Sequence, residues 1–126
     1  MATRVIPFLL HNINVYFSAP TGISAPISVT PLQDGRSVEV VWSPPERPNG
    51  LIIFYNLIAR NRAKPSDTVV TKVNDVETFN ATMAGLTPYT RYDITITAFT
   101  SGGNGTSPSV NVTTLQAGWL SNFLYS

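Results

Sequence analysis

The chain has 126 residues, 43% of them hydrophobic and 12% charged, with eight Lys and Arg against seven Asp and Glu. That is enough for one domain with a single core, and a net charge of +1 leaves no general basic footprint for DNA or RNA. The absence of cysteine excludes a disulfide staple, a thiolate zinc site and a thiol nucleophile, without reporting the redox compartment.

Residues 1–22, "MATRVIPFLLHNINVYFSAPTG", hold one short apolar stretch at 5–10, interrupted by Pro7. It is short for a signal-peptide core, and the segment reads as a linker or a leftover of expression. No apolar run in the chain reaches the roughly 20 residues of a membrane-spanning helix. The single histidine, His11, lies in this segment, away from any partner for catalysis or metal binding.

Residues 23–117 read as the domain. Turn signals recur at "QDG" (33–35), "PPERPNG" (44–50), "KPSD" (64–67) and "SGGNGTSP" (101–108). Between them lie short runs rich in Val, Ile, Thr, Phe and Tyr with no helical period. That spacing predicts an all-β sandwich of seven antiparallel strands.

Period-two reading assigns the faces. After a first strand, "APISVTPL", the run "SVEVVW" turns Val38, Val40 and Trp42 inward. "IIFYNLIA" places Ile53, Tyr55, Leu57 and Ala59 inside and Phe54, Asn56 and Ile58 outside. "TVVTKV" is a weaker fourth strand. "FNATM" buries Phe79, Ala81 and Met83, and "YDITITA" buries Tyr92, Ile94, Ile96 and Ala98 while exposing Asp93, Thr95 and Thr97. "SVNVT" buries Val110 and Val112. The tail 118–126, "GWLSNFLYS", is apolar for a linker.

The stretch "LTPYTRY" (86–92) enters the sixth strand. Leu86 can plug the core under the corner, and Pro88 fixes a backbone torsion without needing a donor. Tyr92 would bury its ring, and its hydroxyl would bond back to the backbone near Leu86 or Thr87, a tyrosine corner.

Taken with "SVEVVWSPP", "PNGLIIFYNL" and "SPSVNVTT", this stretch makes the region from about residue 24 to 117 resemble a fibronectin type III domain. A second-strand Trp42 without a cysteine pair separates it from disulfide-bonded immunoglobulin domains, whose tryptophan is on the third strand. The phrases "APTGISAP" and "VTTLQAG" resemble joints between tandem repeats of large ectodomains. The loop "SGGNGTS" carries no RGD and the chain no WSxWS, so integrin and cytokine-receptor roles are not carried over.

The resemblance implies a noncatalytic spacer and adhesion module of an extracellular or cell-surface protein. Its partners would be other protein domains, with no cofactor, no nucleic acid and no membrane insertion of this segment. Trp42, Tyr55, Leu86, Pro88 and Tyr92 would be structural. An intracellular elastic-protein module and an accessory domain of an enzyme are the alternatives.

No Ser/His/Asp set, HExxH or phosphate loop is present, and the carboxylates are scattered without calcium-loop spacing. Three N-x-[ST] sequons stand at Asn80, Asn104 and Asn111, the first and last outward on strands and Asn104 on a loop. About two are expected by chance in this composition, so position argues more than number. Arg60, Arg62 and Lys64 read as a solvated loop, with a heparin-like or phosphate site as the alternative. Outward Phe54 and Ile58, with Phe99 beside them, form a candidate contact surface.

Overall fold

The computed structural model describes residues 18–116. Residues 1–17, which include His11, and residues 117–126, which include the apolar tail, lie outside the described residues.

Eight strands are formed: β1 Ser28–Pro31, β2 Val38–Val41, β3 Phe54–Asn61, β4 Thr68–Val73, β5 Asn80–Met83, β6 Arg91–Thr100, β7 Gly103–Thr106 and β8 Val110–Thr113. A three-stranded sheet runs β1-β2-β5 and a larger one runs β4-β3-β6-β7, with β8 also on β6. Every pairing is antiparallel.

The seventh strand expected from "SVNVT" is β8, and β7 is an additional strand before it. β7 pairs with residues 97–100 of β6 and β8 with residues 91–94, so the two lie end to end along one edge of β6. Between them Pro108 cannot donate to a ladder. Ser107 alone serves Ile96: its amide donates to the Ile96 carbonyl at 2.8 Å and its hydroxyl accepts from the Ile96 amide at 2.9 Å.

The last three residues of "GGNG", expected as turn, are therefore strand, and Asn104 stands in a ladder opposite Phe99. The reason is steric. A Cβ on Gly105 would lie 2.4 Å from the Pro20 carbonyl oxygen. Glycine lets the N-terminal strap pass directly over the strand.

The inward sets of β2, β3 and β6 meet in one core of Val38, Val40, Trp42, Tyr55, Leu57, Ala59, Met83, Leu86, Tyr92, Ile94, Ile96, Ala98 and Val112. Each large side chain buried here contributes about 1.5–3 kcal/mol. The Trp42 ring meets Tyr55 edge-on at 5.7 Å and Phe79 at 6.3 Å. Its Nε1 has no hydrogen-bond partner among the described residues, and aromatic packing holds the indole.

Some outward or inward assignments differ from the alternation, and Phe79 and Ala81, expected inside, are half-buried against the core. Ile53 is 52% exposed: the β3 ladder starts one residue later, and Ile52 packs on the core in its place. Thr97 is buried because β7 covers it, its hydroxyl 2.9 Å from that of Thr106. Val110 is half-buried.

Residues 18–22, expected outside the domain, lie against it. Thr100 Oγ1 donates to the Ser18 carbonyl at 3.1 Å and Asn49 Nδ2 to that of Ala19 at 2.8 Å. Thr21 and Arg47 exchange backbone bonds of 2.9 and 3.1 Å. Backbone bonds, not an apolar stripe, tie the strap down.

Candidate interaction surface

The tyrosine corner fixes one end of the sandwich. The Thr87 amide donates to the Tyr92 hydroxyl at 2.8 Å, and that hydroxyl donates to Asp67 Oδ2 at 2.8 Å. The same oxygen accepts from Asn61 Nδ2 at 3.1 Å and Thr87 Oγ1 at 3.2 Å. These bonds, the Asn61 amide first and the Tyr92 hydroxyl next, hold the Asp67 carboxyl below its ordinary 3.8. Leu86 is buried under the corner and Pro88 is half-buried. Thr114 closes the bend: its Oγ1 donates to the Thr87 carbonyl at 2.7 Å and accepts from the Thr90 amide at 2.9 Å.

The chain passes through the module from pole to pole. Ser18 is bonded at the Thr100 end of β6, and Leu115 accepts from the Tyr89 amide at 3.0 Å near the Arg91 end. The ten residues of β6 separate these points, about 33 Å at 3.3 Å per residue.

The outer face of the larger sheet changes character between the poles. At the entry pole Phe54 and Phe99 stack with centroids 4.3 Å apart, and Lys72 Nζ sits 4.3 Å over the Phe54 ring. Both rings and Ile58 are half-buried. The lysine caps one side of the stack, while Leu51, 81% exposed, and Ile53 add apolar surface on the adjoining segment. Asn104, paired with Phe99 in the ladder, flanks the stack.

Toward the exit pole the face becomes cationic. Arg62 grips Asp93 through Nε and Nη2, both at 3.1 Å. The Asn111 amide nitrogen donates to the same carboxylate, and its oxygen accepts from Arg91 Nη2 at 2.9 Å. Arg60, opposite Asp93 in the ladder, has no such partner among the described residues.

The larger sheet and its loops carry Arg60, Arg62, Lys64, Lys72 and Arg91 against only Asp67 and Asp93. The smaller sheet and the loops leading to it carry Arg36 and Arg47 against Asp34, Glu39, Glu46, Asp75 and Glu77. On the strands themselves the larger sheet holds Arg60, Lys72 and Arg91 against Asp93, and the smaller sheet holds Glu39 alone.

Asn80 is exposed on β5, an edge strand. Among the described residues no group of three or more His, Asp or Glu is placed to hold a metal ion. No helix there is long and apolar enough to cross a membrane.

Two facing sheets with β3, β4 and β6 through β8 in one and β1, β2 and β5 in the other define an immunoglobulin-like sandwich, here closed by a tyrosine corner without a disulfide. The family profile "Fibronectin type III domain" matches residues 18–115. The chain belongs to that family.

Human usherin is 34% identical over 98 residues, covering 78% of this chain and 2% of usherin. Rat phosphatidylinositol phosphatase PTPRQ is 40% identical over 68 residues, covering 54% of this chain and 3% of that protein. Chicken ephrin type-A receptor 7 is 37% identical over 103 residues, 79% of this chain and 10% of the receptor. The chain therefore spans a tenth or less of each of these relatives.

Among solved structures, the FN5 domain of Drosophila Lar superposes with a TM-score of 0.58 at 30% identity, over 75% of this chain and 99% of that one. The FN1–FN3 domains of chicken CNTN1 give 0.63 at 24% identity, over 78% and 33%, a likeness of fold. Fibronectin type III domains of this kind occur in multidomain receptors, where they are adhesion or interaction modules.

Proposed function

We propose that the chain is a noncatalytic spacer and contact module in the extracellular part of a multidomain cell-surface or matrix protein. The observation that carries this reading is the polarity of the module. It is entered and left at opposite poles, and the entry pole presents the Phe54–Phe99 stack beside exposed Leu51 and Ile53. Such a layout suits end-to-end spacing with an apolar contact to a preceding module. Phe54, Ile58 and Phe99 form that contact, while Trp42, Tyr55, Leu86, Pro88 and Tyr92 hold the fold.

The similarity to usherin and to an ephrin receptor supports the multidomain setting. The similarity to PTPRQ supports a second one, in which the module accompanies a catalytic domain elsewhere in its protein.

Glycopeptide mass spectrometry on the chain secreted from mammalian cells tests the extracellular assignment. Glycan is expected on exposed Asn80 and Asn104. At Asn111 the attachment nitrogen is the one that donates to Asp93, so a glycan there displaces that contact. A secreted chain bare at all three positions counts against the assignment. With the preceding module of its parent protein attached, Phe54→Ser with Ile58→Ser is expected to abolish interdomain nuclear Overhauser contacts and keep the fold. A double variant that retains them rejects the contact role.

A further inference from the structure

We propose that the cationic, exit-pole end of the larger sheet's outer face binds a sulfated polysaccharide. The inference names a ligand for the interaction role above and rests on its extracellular setting.

Tyr89 is the first observation. Its φ is 50°, in the left-handed region, which a Cβ disfavours and which glycine adopts without strain. Yet the ring is 75% exposed, so core burial does not compensate for the backbone. A hydrogen bond from its amide to the Leu115 carbonyl holds the strained residue in place. A costly conformation that presents a fixed aromatic face to solvent has the character of a binding position.

The second observation is what surrounds that ring. Tyr89, Arg62 and Arg91 border a depression of about 470 Å³. Across the Arg62–Asp93 pair, Arg60 borders another of about 420 Å³. The two make a shallow path over β3 and β6 with arginines along it. The Asp93 carboxylate is already engaged by Arg62 and Asn111, and the guanidinium of Arg60 is unpaired among the described residues.

The third observation selects the ligand class. β3 and β6 are interior strands whose backbone groups are used in ladders on both sides. An extended acidic peptide would find no sheet edge to pair with here. Recognition falls to guanidinium forks, which suit planar oxyanions such as sulfate, and to a tyrosine face for sugar C–H groups.

Isothermal titration of the full 126-residue chain with a heparin-derived octasaccharide tests this. Saturable binding that weakens with added salt is expected. Arg62→Ala with Arg91→Ala is expected to weaken it by about tenfold or more, as removal of charge-assisted donors does. Arg36→Ala with Arg47→Ala, on the loops either side of β2 and outside both depressions, is expected to leave it within about twofold. Tyr89→Gly is expected to weaken binding by about three- to tenfold while the urea midpoint holds or rises.

No measurable binding, equal loss in the Arg36/Arg47 variant, or unchanged affinity in Tyr89→Gly overturns the proposal. Tighter binding of a polyglutamate peptide than of the saccharide assigns the face to an acidic protein instead and overturns it too. Ile58 also borders the Arg60 depression, but these outcomes leave the entry-pole contact untouched, since the Phe54–Phe99 stack borders neither depression.

Discussion

Asp67 Oδ2 gathers hydrogen bonds from Asn61, Tyr92 and Thr87 at the corner of the sandwich. Tyr92→Phe removes both the acceptor for the Thr87 amide and a donor to this carboxylate. The topology is expected to survive with a loss of about 0.5–1.5 kcal/mol in urea unfolding, the usual net value of a hydrogen bond, since Thr87 and Asp67 both reach solvent. An unchanged midpoint would show that the corner carries no load.

The same bonds make a pH prediction. Asp67 is held below 3.8 by its donors, and Asp34 likewise by the Ser37 hydroxyl and the Arg36 amide. A carboxylate whose folded pKa is depressed stabilises the fold fully above its unfolded pKa of about 3.9 and progressively less as pH falls through the folded value. Stability is therefore expected to decline below about pH 4. Asp67→Asn should flatten that decline in urea titrations taken at successive pH values, and an unaltered slope would contradict the linkage. In the sequence Tyr92 and Thr87 were legible as a pair, five residues apart. Asp67 was not, because it arrives from 25 residues away and nothing in its local pattern distinguishes it from a turn aspartate.

At the scale of elements, strands with one dry and one wet face announce themselves, and β2, β3 and β6 do so through Val38, Val40, Tyr55, Leu57, Ile94 and Ile96. β7 does not. Its sequence "GNGT" has almost no side chains to alternate, and its glycines serve a neighbour: the strap crosses where Gly105 has no Cβ. Gly105→Ala would push a methyl into the Pro20 backbone and Ile23. It is expected to destabilise by about 1–3 kcal/mol and to speed exchange of the Thr21 amide, which bonds Arg47. Normal protection at Thr21 in that variant would show the strap is held independently of β7. The same missed strand explains Thr97, a wet-face threonine by alternation that β7 covers. The contact surface was half legible: outward Phe54 and Ile58 follow from period two, whereas the Lys72 cap and the strained Tyr89 depend on backbone geometry and on strand neighbours far apart in the chain.

The whole molecule is a rod segment with graded ends. An aromatic stack and exposed aliphatics sit at the entry pole and arginines at the exit pole. None of these features belongs to the core, so the surface can change while the sandwich stays intact. This separation of scaffold from contact face is the central claim.

Small-angle X-ray scattering on the chain joined to the module preceding it in its parent protein tests that claim most directly, comparing the natural sequence with Phe54→Ser/Ile58→Ser. A narrow, extended distance distribution is expected for the natural pair and a broader one for the variant, with both unfolding at the same urea midpoint. Superimposable scattering curves, or a variant that loses its fold, would contradict it.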